Sequence, residues 1–210
     1  MVLYFFLELA ALFIGCVLVR KSWPAIYRFL VVYKCMDFTM SVATTAWSSI
    51  LHQSNHWIYN LYNPVECLGL LYIFYKTAVY PLIKRLDLLL LIALPLLVIM
   101  AYWLSPVFYS LNSIQNIGCM FLLLLSSCGA LVDLLLDKSS LPLFQRPVFW
   151  LAAGMLLYAI CMILYFLTWE YSKKMILYRL FYMIYFGGGC FFNLGIIGCV
   201  IFVHRQRTPR

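Results

Sequence analysis

Apolar positions fill the chain in seven long runs, separated by short polar or proline-marked breaks. The runs predict helices over Val2–Val19, Phe29–Leu51, Ile58–Ala78, Leu86–Leu104, Ser110–Asp133, Val148–Trp169 and Ile176–Val203. A mostly apolar helix of roughly 18 residues or more can cross the hydrocarbon core, and a helix satisfies its own backbone there. The breaks have physical causes. Trp23-Pro24, Tyr80-Pro81, Ser105-Pro106, Leu141-Pro142 and Arg146-Pro147 each put a proline after a residue that then avoids helical geometry. His52 to His56 is a polar linker, whereas Pro64 and Pro95 fall inside runs, where neighbouring helices can satisfy the carbonyls they free. The expectation is an all-α, polytopic membrane protein: a seven-transmembrane-helix bundle forming one domain over residues 1–210.

Basic residues orient the bundle, because lysine and arginine in short loops stay on the cytoplasmic side. Arg20, Lys21 and Arg28, then Lys76, Lys84 and Arg85, then Lys138 and Arg146, and finally Arg205, Arg207 and Arg210 fall on one side. With Lys34 placed at the inner end of the second helix, twelve basic residues lie inside. Three, Lys173, Lys174 and Arg179, lie outside. The N-terminus is therefore expected outside and the C-terminus in the cytoplasm.

Ionisable groups are costly inside a membrane and usually face the bundle interior. In the second helix Asp37, Ser41, Thr44 and Ser48 repeat at a 4-3-4 spacing, which makes one narrow polar face. Asn112, Asn116, Cys119, Ser126, Ala130 and Asp133 give the fifth helix a small, polar face; Glu8 aligns with Gly15 in the first, and Asn60, Asn63 and Glu66 share a face of the third. Glu66 lies eight residues into its predicted span, roughly 12 Å at 1.5 Å per residue. Glu8, Thr44, Asn63 and Asn116 come near that level, so a polar cavity open to the outside is expected. Its alternative is a set of interhelical hydrogen bonds without a ligand. No lysine or arginine is expected at the depth of Glu66, which should therefore hold a proton or be neutralised by a cationic ligand or ion. Lys34, Asp37 and Asp133, with Asp87 nearby, form a second group expected toward the cytoplasm, Lys34 snorkelling to the interface. Gly154, Tyr158, Cys161 and Tyr165 line one face of the sixth helix, and the seventh carries Gly187-Gly188-Gly189, Asn193, Gly195 and Gly198. Small residues there predict close packing, with a hinge at the glycine triplet as the alternative.

Composition fits this pattern. Of 210 residues, 66% are hydrophobic and 10% charged, against about 25% charged in soluble domains. The net charge of +8 follows from the basic inner loops, so no nucleic-acid partner is expected; the first partner is the lipid bilayer. All eight cysteines fall inside predicted helices without a C-x-x-C pair and read as reduced packing residues. The first run has no basic n-region or A-x-A-like site and reads as a retained helix.

Chemistry is sparse. His52 and His56 are spaced i, i+4 without a carboxylate or cysteine beside them, and read as interfacial rather than metal-binding. No lysine lies in the seventh span for a retinal Schiff base, and no G-x-S-x-G or phosphate-binding loop occurs. No cofactor, metal or catalytic residue is assigned; catalysis would fall to Glu8, Glu66 and Asp37. The stretches Asn60-Leu61-Tyr62-Asn63-Pro64-Val65-Glu66 and Arg146-Pro147-Val148-Phe149-Trp150, followed by Gly154 and Tyr158, resemble small seven-helix inner-membrane proteins of Bacteroidetes-type bacteria. The resemblance implies an inner-membrane location and a sensory or signalling setting, and supplies no catalytic residue.

The function expected first is that of a receptor-like or sensory protein binding a small ligand through Glu66, Glu8, Asn63, Asn116, Thr44 and Ser48. With short loops it would signal through a membrane or cytoplasmic protein partner. A small transporter or channel subunit, using the outer and inner polar groups as stations, is the alternative. An intramembrane lipid-modifying enzyme and a scaffold subunit follow.

Overall fold

Proline decides where several helices begin. A computed structural model describes residues 2–50, 52, 56–104, 113–138, 141–168 and 175–207, with the backbone alone at 2, 175–178 and 181. Among these residues all regular structure is helical: α1 Val2–Leu18, α2 Ala25–Ile50, α3 His56–Thr77, α4 Pro81–Leu104, α5 Ser113–Leu136, α6 Pro147–Thr168 and α7 Met175–Arg207, with a short 3-10 turn at Leu143–Gln145 before α6. α4 and α6 start on a proline, and α2 starts directly after Pro24, whose carbonyl accepts the Tyr27 N–H at 3.1 Å. Proline is tolerated in the first turn because its missing N–H would have no intrahelical partner. Hence α2 begins four residues before the expected Phe29, and α4 five before Leu86. Arg28, Lys84 and Arg85 sit in these first turns, which are helical although their charges break the apolar run. The expected positions Ser110, Asn112, Trp169, Lys173 and Lys174 lie outside the described residues.

Four helical segments are long and apolar enough to cross a membrane: Pro81–Leu104, Ser113–Leu136, Pro147–Thr168 and Tyr182–Arg207. α1 is as apolar but spans only 17 residues. α2 and α3 have the length, 26 and 22 residues, and carry the polar groups described below. α4 turns Leu82, Leu89, Ile92, Leu96, Ile99 and Trp103 outward, all more than half exposed. An apolar surface of that extent suits hydrocarbon rather than water.

Contacts between helices close a ring in the order α1, α2, α3, α5, α6, α7 and back to α1, while α4 packs on the flank of α3 and α5. The α6–α7 interface is the most extensive, and glycine is the reason. A Cβ at Gly154 would lie 2.7 Å from the Phe191 carbonyl oxygen, and one at Gly195 2.7 Å from that of Trp150. The two backbones touch there, which only glycine permits. Gly188 and Gly189 are filled in the same way by Cys161 and the Tyr4 ring, and α7 stays helical through the triplet. Gly188 and Gly189 therefore serve packing, and the helix does not break at the triplet. The other half of the ring, where α2 meets α1 and α3, is packed less tightly.

This geometry predicts a contrast between glycines. Gly154→Ala pushes a methyl group onto a backbone carbonyl and should cost about 1–3 kcal/mol, as overpacking does. Gly187→Ala meets nothing within 4 Å and should leave stability unchanged. Thermal unfolding of the purified protein in detergent reads both; equal melting temperatures for the two variants would contradict the close α6–α7 contact.

Candidate functional site

The polar groups of α1, α2 and α3 meet at one height. Counted from the ends on one side of the bundle, Glu8 lies ten residues from Leu18, Lys34 nine and Asp37 twelve from Ala25, and Glu66 eleven from Thr77. At about 1.5 Å per residue the four fall within roughly 5 Å of one level, close to mid-height. Lys34 is buried to 1% exposure. Its ammonium forms a short ion pair with Asp37 Oδ2 and lies 3.6 Å from Glu8 Oε1. Glu8 Oε2 accepts the Ser41 hydroxyl at 3.3 Å, and Asp37 Oδ1 accepts that of Tyr62 at 3.3 Å. Glu66, 4% exposed, accepts the Tyr33 hydroxyl on Oε1 at 3.0 Å; its Oε2 has no hydrogen-bond partner among the described residues.

Above this level a cavity of about 370 Å³ opens between α1, α2, α3, α6 and α7. Asp37, Ser41, Thr44 and Ser48 all line it, so the 4-3-4 face of α2 becomes one wall. The Thr44 hydroxyl donates to the Ser41 carbonyl at 3.0 Å and receives the Tyr59 hydroxyl at 3.5 Å. That of Ser48 donates to the Thr45 carbonyl at 3.1 Å. From α3 the lining residues are His56, Tyr59, Tyr62, Asn63 and Glu66. Tyr158 and Tyr165 of α6, and Tyr182 and Tyr185 of α7, complete the opposite wall, with Tyr4 of α1. Tyr165 and Tyr185 stand 5.0 Å apart across the α6–α7 seam, and Tyr158 stacks on Phe192 at 5.1 Å.

Several expected positions differ from this arrangement. Lys34 does not snorkel, and Lys34 and Asp37 do not form an inner group; they join Glu8 at the cavity floor. The early start of α2 carries Lys34 a full turn deeper than a helix beginning at Phe29 would. Two carboxylates in reach offset the cost of keeping that ammonium out of water. Asp133 stands apart from both: its two oxygens accept the backbone N–H groups of Val79 at 2.9 Å and Tyr80 at 2.8 Å, just before α4. Asp87 likewise serves a local purpose, accepting the Ser126 hydroxyl at 2.6 Å between α4 and α5.

Asn116 does not line the cavity. Its Oδ1 accepts the side-chain N–H of Asn63 at 2.8 Å, behind the α3 wall. It belongs to a seam in which three successive turns of α3 meet α5. One turn nearer the start of α3, Gln115 Nε2 donates to the Asn60 carbonyl, the group that loses its N–H partner because Pro64 stands four residues on. One turn further, the Cys67 thiol donates to the Cys119 carbonyl at 3.4 Å. Asn60 thus meets α5 through its carbonyl, and the cavity face of α3 is His56, Tyr59, Tyr62, Asn63 and Glu66. All eight cysteines are free thiols.

The tyrosines and His56 are the lining residues that polarity alone misses. Their spacing carries the signal: 59, 62, 63 and 66 on α3 and 158 and 165 on α6 each follow one helical face. A tyrosine near a helix end otherwise reads as part of an interfacial belt. Arg146-Pro147 is a loop device: Arg146 binds the Leu134 and Leu141 carbonyls at 2.8 and 3.1 Å and the Asp137 carboxylate at 3.1 Å, closing the α5–α6 connection.

The chain matches no known family model, no curated protein and no solved structure. Fold and site together define a helical bundle with membrane-length apolar helices around a polar, aromatic-walled cavity.

The α3–α5 seam can be tested through the proline that creates its need. Gln115→Leu withdraws the side-chain N–H from the Asn60 carbonyl and should cost about 1–3 kcal/mol. Pro64→Ala returns the backbone N–H, so in that background the same change should cost much less. Equal losses in melting temperature in both backgrounds would show that Gln115 does not serve the proline-freed carbonyl.

Proposed function

We propose that the protein is a receptor-like or sensory membrane protein that binds a small ligand in the cavity and acts through a membrane or cytoplasmic protein partner. In this reading all seven helices cross the membrane, the N-terminus and the cavity mouth face outward, and the C-terminus lies in the cytoplasm. The observation that carries it is the pair of carboxylates, Asp37 and Glu66, at the floor of a 370 Å³ cavity. Ligand sites are concave, largely apolar and furnished with a few converging polar groups. Structural glue between helices needs only asparagine, serine or threonine; a cavity-lining glutamate whose second carboxyl oxygen has no partner among the described residues goes beyond that need.

Seven crossings are supported by the closed ring, in which α1, α2 and α3 stand beside the membrane-length helices and bury Glu8, Lys34 and Glu66 inside it. The lysine and arginine asymmetry supports the orientation. Connections between the helices are too short to hold an output domain, which favours a separate partner.

A transporter requires a polar route through the bundle. The outer group and Asp37 are contiguous, which such a route needs, but below them Leu30, Leu70, Leu71, Phe74, Met120 and Leu123 are packed to 1% exposure or less. Asp133, the next acidic group, is occupied by backbone amides. The cavity therefore reads as a pocket with a floor, and binding is favoured over passage.

Glu66→Gln keeps the side-chain shape and removes the charge. The variant should accumulate and unfold like the wild type. Small molecules released on denaturing the purified wild-type protein, identified by mass spectrometry, should include one reduced about tenfold or more in the variant, the equivalent of 1.4 kcal/mol in affinity. Identical released molecules, in equal amounts, from both proteins would leave the cavity as packing and end the ligand reading.

A further inference from the structure

We propose that the cavity selects a small organic cation, an amine or quaternary ammonium ion, held by tyrosine ring faces and the Glu66 carboxylate. This deepens the reading of the cavity as a ligand site and rests on it.

The charge at the floor is net negative. Glu8, Asp37 and Glu66 stand against a single ammonium, Lys34, which is itself engaged with Glu8 and Asp37. No lysine or arginine lines the cavity among the described residues. An anionic ligand would meet two carboxylates at the floor without a free countercharge, and a cation would supply the charge that Glu66 lacks. Glu66 is 96% buried, lines the cavity, and keeps Oε2 without a partner among the described residues, beside the Oε1 that takes the Tyr33 hydroxyl.

The walls narrow the class of cation. Tyr59, Tyr62, Tyr158, Tyr165 and Tyr185 bring rings from three helices to one space. A ring face attracts a cation within about 6 Å of its centre, and cages of such rings recognise ammonium ligands. The protein applies the same contact at the floor, where Lys34 Nζ lies 5.9 Å from the centre of the Phe192 ring, which in turn stacks on Tyr158. A hard metal cation instead takes about six or more oxygen ligands. Among the described residues no three His, Cys, Asp or Glu side chains converge to hold one. Rings on the walls and a carboxylate at the floor fit an alkylated or aryl-bearing ammonium.

The test uses Ser41→Cys, a thiol inside the cavity, in the full chain on right-side-out membranes. Its reaction with a trimethylammonium-bearing and a sulfonate-bearing methanethiosulfonate is followed by mass spectrometry of the Ser41 peptide. Each rate is normalised to that reagent's rate with a free thiol in solution. The cationic reagent should be favoured about tenfold or more, 1.4 kcal/mol in the potential the thiol feels. Choline should protect the thiol, whereas the neutral alcohol with carbon in place of the choline nitrogen should not, and Glu66→Gln should lower both preference and protection. Equal normalised rates without protection by choline would overturn the cation assignment while leaving an open cavity. Failure of both reagents to react would close the cavity to the outside and overturn the ligand reading with it. Thr45→Cys, nearer the mouth, provides the same measurement if Ser41→Cys does not accumulate.

Discussion

The buried ammonium of Lys34, held between Glu8 and Asp37, is the interaction on which the rest of this structure depends. Taking a charge out of water costs several kcal/mol even after relaxation, and only close countercharges with good hydrogen bonds return it. Lys34 and Asp37 are one turn apart on α2, but Glu8 comes from α1, so the ion pair fixes the height of one helix against the other. Ser41, one turn above Asp37, binds Glu8 as well and reinforces that register. Asp37 then reaches α3 through the Tyr62 hydroxyl, and Tyr33 reaches it through Glu66. Three helices are thereby held at one level by charge.

Those ties divide the bundle into halves with different physics. On the α1–α2–α3 side, toward the mouth, polar groups take the place of close packing and space remains between the helices. On the α6–α7 side glycines bring two backbones into contact, and the aromatic rings carried just beyond them point into that space. Toward the other end, buried leucine, phenylalanine and methionine side chains fill the interior among the described residues. A cavity with a charged floor, ring walls and a sealed base follows from those three choices. The α3–α5 seam keeps its α3 wall in place, because Asn116 and Gln115 engage Asn63 and the proline-freed carbonyl from behind.

The helices and the polar face of α2 were legible in the sequence because both rest on periodicity. Asp37, Ser41, Thr44 and Ser48 needed only their 4-3-4 spacing to be placed together. Depth was less legible. Hydropathy trims a helix at its charged first turn, so α2 was expected to begin beyond Arg28 and Lys34 fell too near the cytoplasm. Partner choice was not legible at all. Nothing local distinguishes Asp133, which binds two backbone amides across helices, from Asp37, which binds an ammonium. The third case is Asn60: it shares a polar pattern with Asn63 and Glu66, but Pro64 turns its carbonyl into an acceptor for α5. Tyrosines hid the remaining wall, since at helix ends they resemble an interfacial belt until the helices are assembled.

Lys34 stays buried because its two carboxylates permit it. Lys34→Met strands two carboxylates at the floor, and breaking a buried pair on one side costs about 3–5 kcal/mol. Adding Glu8→Gln and Asp37→Asn removes the stranded charges, and the triple variant should recover most of the loss. Thermal unfolding of wild type, single and triple variants in one detergent decides it. A low melting temperature for Lys34→Met that is largely restored in the triple variant is the predicted result. A melting temperature for Lys34→Met equal to that of the wild type would contradict the account, because an ammonium that can be removed without loss is not the tie that holds α1, α2 and the cavity floor together.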